Sequence, residues 1–170
     1  MTTLDPRSTA LVLIDLMDRI VANPLAPRTG SEVVNASLEL AREFRAVGAP
    51  VVAVRVERPN VTEQPPGSGL LAEVAAVADE VVVKRTIGAF QGTGLDGLLR
   101  ARGVETLVFT GIATNLGVES SARAAGDHGY RVVFVEDAMA ALTAEEHRAS
   151  VELDFPRLGE VVVAADVRLG

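Results

Sequence analysis

Two kinds of segment alternate along the chain, and that alternation constrains the fold more than any other feature. Short runs rich in Val, Leu and Ile occupy Ala10 to Leu16, Val51 to Val56, Glu80 to Lys84, Val104 to Thr110, Arg131 to Glu136 and Glu160 to Val163. They are almost continuously apolar, as strands covered on both faces must be. Between them lie stretches of helical period: Ser31 to Val47, Gly69 to Ala78, Gly94 to Arg102, Asn115 to His128 and Thr143 to Leu153. Thr29 with Glu32, and Thr143 with Glu146, form capping boxes, and Gly48 stands where the first helix must stop. Strand and helix in alternation predict an α/β fold, a parallel sheet with helices on both faces. No linker, repeat or low-complexity tract divides residues 1–170, so a single domain is expected, long enough to bury a core without staples.

Composition removes several kinds of chemistry. There is no Cys, hence no disulfide, thiolate metal site or thiol nucleophile. Only His128 and His147 could supply imidazole, which argues against a multi-His metal centre. With 16 Lys and Arg against 23 Asp and Glu, the formal charge is −7, the wrong sign for a nucleic-acid face. The polar stretch Met1 to Ala10 does not read as a secretory signal, and no apolar run is long enough to span a membrane. A cytoplasmic protein is expected.

In open parallel sheets, ligands bind beyond the carboxyl ends of the strands. The polar residues expected there are Asp15, Lys84, the segment Gly111-Ile-Ala-Thr-Asn-Leu-Gly117, and Glu136 with Asp137. Asp15 follows four apolar residues, so burial would raise its pKa and suit acid–base work, while a nearby cation would oppose that rise. Lys84 is the only lysine among 16 cations. Either the chain simply favours Arg, or this position needs a compact ammonium. The 111–117 segment reads as an oxyanion cradle at a helix start, or as an ordinary strand-to-helix turn. Gly92, Gly94 and Gly97 spell G-x-G-x-x-G, but no strand directly precedes them, so they read as a turn with Thr93 capping the next helix. No cofactor is implied. Ser120 and Ser121 lack a nucleophile elbow, His128 reads as a helix C-cap and His147 as structural or interfacial. The Pro-rich stretch Glu57 to Ser68 is either a lid or a plain crossover.

Four motifs in this order resemble the isochorismatase-like hydrolase superfamily over nearly the whole length. They are Leu11-Val-Leu-Ile-Asp15, Val83-Lys84-Arg85 with Gly88-Ala-Phe90-Gln-Gly-Thr93, the 111–117 segment, and Gly129-Tyr-Arg-Val-Val-Phe-Val-Glu-Asp-Ala138. The resemblance implies a three-layer α/β/α sandwich around a six-stranded parallel sheet of order 3-2-1-4-5-6, and homo-oligomerisation. It also implies a triad of Asp, Lys and nucleophilic Cys. Asp15 and Lys84 match the first two, and Gly117 occupies the Cys position. A non-proline cis bond between Ile112 and Ala113, and an oxyanion hole from the N–H groups of Ala113 and Gly117, are further implications. Phe90 is expected as an apolar pocket wall, Arg85 as a guide for a substrate carboxylate, and Ile112 and Thr114 beside the substrate. The metal-binding members use Asp and His after the second strand, and Arg55 to Asn60 contains neither, so no metal is implied.

Gly at the Cys position removes the usual amidase nucleophile, and Thr114 sits at the wrong place to replace it. True isochorismatases also carry Gly there and hydrolyse a vinyl ether by protonation from the Asp, without a covalent step. Met17 departs from the Gln that many members have two residues after the Asp. The resemblance therefore implies a hydrolase acting without a thiol intermediate on a small anionic substrate. The alternatives are an inactive relative that serves as a binding or structural subunit, and an amidase in which water attacks directly.

Overall fold

The computed structural model describes residues 1–170. Six strands form the main sheet: β2 (Thr9–Ile14), β3 (Val51–Val56), β4 (Glu80–Lys84), β5 (Thr106–Ile112), β6 (Arg131–Ala140) and β7 (Glu160–Val162). All are parallel, in the order β4-β3-β2-β5-β6-β7, which is the expected 3-2-1-4-5-6 when the six are counted from β2. The chain runs from β2 outward to β4, then returns to place β5 on the other side of β2. The switch point lies between β2 and β5, so the residues following these two strands share one crevice.

Every residue of β2 is buried, because both sheet faces are covered. Leu11 and Leu13 pack with Val33, Leu40 and Phe44 of α2 (Gly30–Ala46). Ala10, Val12 and Ile14 face Leu95 and Leu99 of α4 (Leu95–Ala101) and Ala122 of α5 (Glu119–Asp127). This two-sided burial is why the strand shows no polar alternation. Both capping boxes form, at Thr29 and Thr143. His128 is the C-cap of α5.

The differences from expectation have local causes. A two-stranded parallel sheet, β1 (Thr2–Leu4) with β8 (Val167–Leu169), ties the chain ends together where the sequence showed only a polar start. Gly111 belongs to β5 rather than to a turn. Its φ is +117°, and an added Cβ would run into the Ile14 backbone, so glycine allows this close approach beside Asp15. β6 extends to Ala140 because its ladder with β5 shifts after Phe109 and resumes at Gly111 and Ile112. The helix expected over Gly69 to Ala78 shrinks to α3 (Ala72–Val77), since Leu70 pairs with Met17 instead. The helix expected over Thr143 to Leu153 becomes α6 (Ala144–Ala149), a π-helical turn (Ser150–Asp154) and α7 (Phe155–Leu158). Phe155 there stacks on Phe134, centroids 3.8 Å apart. Thr93 is not an N-cap. Gly94 holds that position, while the Thr93 hydroxyl donates to the Ala89 carbonyl and accepts from Leu95 N–H.

Candidate active site

Asp15 directly follows β2 with φ +53°, in the left-handed region that side chains other than Gly rarely adopt. Its N–H donates to the Val54 carbonyl and its own carbonyl accepts from Met17 N–H, so a tight turn holds the residue. Strain of this kind persists where the surrounding structure enforces it, and it concentrates at functional sites. Asp15 is buried. Its Oδ2 lies 2.9 Å from Lys84 Nζ, and its Oδ1, also buried, has no hydrogen-bond partner. Burial pushes the carboxyl above its usual range, and Lys84 opposes that rise through charge and hydrogen bonding, with a smaller contribution from Arg19.

Lys84 ends β4, two strands away from β2. Neighbouring strands are roughly 4.8 Å apart, so the ammonium must cross about 10 Å above β3. A long, unbranched stem does that, and the narrow space at its end suits a compact ammonium better than a planar guanidinium. Lys84 is 1% exposed, and its Nζ also donates to the Ile87 carbonyl.

The third expected residue arrives from β5. A π-helical turn, Thr114–Val118, leads from that strand into α5, and the Ile112–Ala113 bond before it is cis. A Cβ at Gly117 would stand 3.1 Å from both Asp15 Oδ2 and Lys84 Nζ, and 2.9 Å from Ile14 Cγ2. Asp15, Lys84 and Gly117 therefore converge on one point, with no side chain projecting from the third. The Gly117 carbonyl accepts a hydrogen bond of 2.6 Å from Ser121, whose oxygen accepts from Ala89 N–H at 2.9 Å.

These residues open into a cavity of about 410 Å³. Ile112 and Ala113 line it as expected, and so does Arg85. Its other walls were not singled out from the sequence: Ile20, Leu25, Val56, Ile87, Leu116 and Leu142 are apolar, and Glu57, Arg58 and Pro59 form one rim. The stretch Glu57 to Ser68 is thus a wall at its start, and its end packs back on α1 (Asp18–Val21), where Arg19 N–H donates to the Gly67 carbonyl. A larger hollow of about 640 Å³ lies at the amino ends of the strands, lined by residues such as Arg45 and Asp79, which pair with each other. It contains none of the converging residues.

Two expected site residues lie elsewhere. Phe90 is not a wall of this cavity. It stacks on His128, centroids 5.0 Å apart, beside Tyr130 on the α5 side of the sheet. Thr114 is fully buried behind the turn, with its hydroxyl 2.8 Å from His147 Nδ1. His147 Nε2 lies 3.5 Å from Glu136, which pairs with Arg28. Burial lowers the His147 pKa and so favours a neutral ring, against the opposing influence of Glu136. Glu136 and Asp137 face this network and the Ala164 N–H rather than the cavity. Replacing Thr114 by Val would leave the buried imidazole nitrogen unpaired. The expected loss is about 1–3 kcal/mol of stability, read from urea denaturation.

No group of three or more His, Cys, Asp or Glu side chains is placed to hold a metal ion. No helix is long and apolar enough to cross a membrane.

The isochorismatase domain profile matches residues 9–166. The uncharacterized isochorismatase family protein YecD of Escherichia coli O157:H7 is 40% identical, over 95% of this chain and 95% of its own. Maleamate amidohydrolase of Pseudomonas putida is 30% identical over 84% of this chain and 67% of its own. The structure of an isochorismatase family protein from Burkholderia thailandensis superimposes with a TM-score of 0.84 at 41% identity, covering 97% of this chain and 95% of that one. Matched in sequence and fold along nearly its whole length, the chain belongs to the isochorismatase family of hydrolases.

Proposed function

We propose that the protein hydrolyses a small anionic substrate by acid–base chemistry at Asp15, without a covalent enzyme intermediate. The observation that carries this reading is the pairing of a buried, strained Asp15, one oxygen of which is unpartnered, with a glycine where a nucleophile would project. The reaction supported best is hydrolysis of a vinyl ether. Asp15 gives its proton to the enol carbon, and the ether oxygen's lone pair stabilises the resulting cation. Water adds to that cation and loses a proton, returning Asp15 to its acid form. The hemiketal then collapses to a ketone and an alcohol. Lys84 holds Asp15 in place and sets its proton affinity, and the N–H groups of Ala113 and Gly117 stabilise the negative charge that develops on the departing alkoxide oxygen as the hemiketal collapses.

The pKa direction gives the test its sign. A carboxyl that ionises less readily in the folded protein keeps its proton to higher pH than an exposed Asp, whose value is about 3.9. With Asp15 as the acid, kcat is expected to fall as pH rises through its raised folded-state value. Stability shifts the same way: Asp15's contribution is fully present below the unfolded-state pKa and is lost as pH rises through the folded one. The checks are a kcat–pH profile and denaturation curves for wild type and Asp15→Asn.

A second reading, amide hydrolysis by water with Asp15 as base, draws support from the maleamate amidohydrolase relative. It requires ionised Asp15 and predicts the opposite slope, a kcat that rises over that pH range.

A further inference from the structure

The cavity is lined by three cations, Arg58, Lys84 and Arg85, and two carboxylates, Asp15 and Glu57, in a chain of net charge −7. Two of the cations are already engaged. Lys84 pairs with Asp15 at 2.9 Å, and Arg85 pairs with Glu57 at 2.7 Å. Glu57 also holds Arg55 at 2.8 Å, which keeps its carboxyl below its usual range. Arg58 alone among the cavity's cations makes no ion pair.

Arg58 is also fixed in its backbone. Its N–H donates to Gln64 Oε1 at 2.8 Å, and its carbonyl accepts from Gln64 Nε2 at 3.0 Å. One side-chain amide thus closes the loop from both sides. Pro59 follows and restricts the backbone of Arg58 to extended conformations. A guanidinium on a clamped peptide, at the rim of a cavity whose other charges are paired with one another, is a prepared partner for a planar anion.

We propose that Arg58 is the anion anchor of this cavity, held there by Gln64, and that the substrate is a small carboxylic acid with an apolar body. The carboxylate meets Arg58 at the rim, the body lies against side chains such as Val56, Ile112 and Leu116, and the reacting group reaches Asp15 and Gly117. The Arg85 guanidinium, expected from the sequence to guide a carboxylate, instead braces Glu57. This assignment rests on the cavity being the substrate site.

The test is binding of two probes of equal size, hexanoate and its neutral amide, by NMR titration at neutral pH. Wild type is expected to bind hexanoate about tenfold more tightly than hexanamide, the ratio one charge-assisted hydrogen bond confers. Arg58→Met is expected to erase the preference while keeping hexanamide binding, and Arg58→Lys to keep part of it. Gln64→Ala is expected to weaken hexanoate binding alone. Arg85→Met is expected to leave the preference intact. No preference in wild type, or a preference that survives Arg58→Met or disappears with Arg85→Met, overturns the proposal. Loss of preference in Arg58→Met together with absence of any turnover would leave the anchor standing and defeat the Asp15 chemistry. Asp15-dependent turnover without a carboxylate preference would do the reverse.

Discussion

Replacing Asp15 by Asn is expected to lower turnover of a vinyl-ether carboxylate by about 10²- to 10⁴-fold, the range a positioned general acid contributes. The substitution is suited to the question because it changes little else. Asn keeps the size and shape of Asp and tolerates the left-handed backbone that Asp15 adopts at φ +53°. Its amide oxygen can still accept from Lys84 Nζ. What it loses is the transferable proton. A melting curve by circular dichroism accompanies the rate measurement, so that lost activity is not confused with lost fold. A folded Asp15→Asn protein with the wild-type rate would remove Asp15 from the reaction.

The second large effect is on stability. Replacing Lys84 by Met is expected to cost about 3–5 kcal/mol near neutral pH, the typical loss when one partner of a buried pair is removed. Asp15 would keep its burial and lose the main group opposing its rise in pKa. It would also lose the hydrogen-bond partner of Oδ2, leaving both carboxyl oxygens without one. The protein can escape part of that cost by protonating Asp15. The deficit is therefore expected to shrink as pH falls toward the raised Asp15 pKa, because protonation removes the uncompensated charge. Urea denaturation at two pH values reads this directly. A deficit that does not change with pH would mean that Lys84 acts through packing and its bond to the Ile87 carbonyl, not through Asp15. Lys84→Arg is expected to fail as well, since the ammonium sits 1% exposed in a space closed around it.

Much of this was legible from the residues. The main strands could be placed because each is buried on both faces and therefore reads as an unbroken apolar run. Asp15 and Lys84 could be placed because each ends such a run, and a parallel sheet brings those ends to one crevice. Gly117 needed the resemblance, since nothing in a glycine's own chemistry marks it. The cavity walls were less legible. Leu116, Leu142 and Ile87 are ordinary apolar residues whose common location depends on three separate segments of the chain. Arg58 looked like one of fifteen arginines, and its distinction is a place in the cavity wall without an ion-pair partner, which only the folded arrangement reveals. Phe90 was misplaced for a related reason. It follows Lys84 closely in the chain, but its loop turns toward α5 and gives the ring to His128.

Catalysis by the proposed route proceeds without a covalent bond between enzyme and substrate. Rapid-quench intact-protein mass spectrometry during turnover of a vinyl-ether carboxylate tests it most directly. Product is expected to accumulate while the protein mass stays that of the unmodified chain. A substrate-derived increment on the protein that appears and decays with turnover, or no product from this substrate class at all, would contradict it.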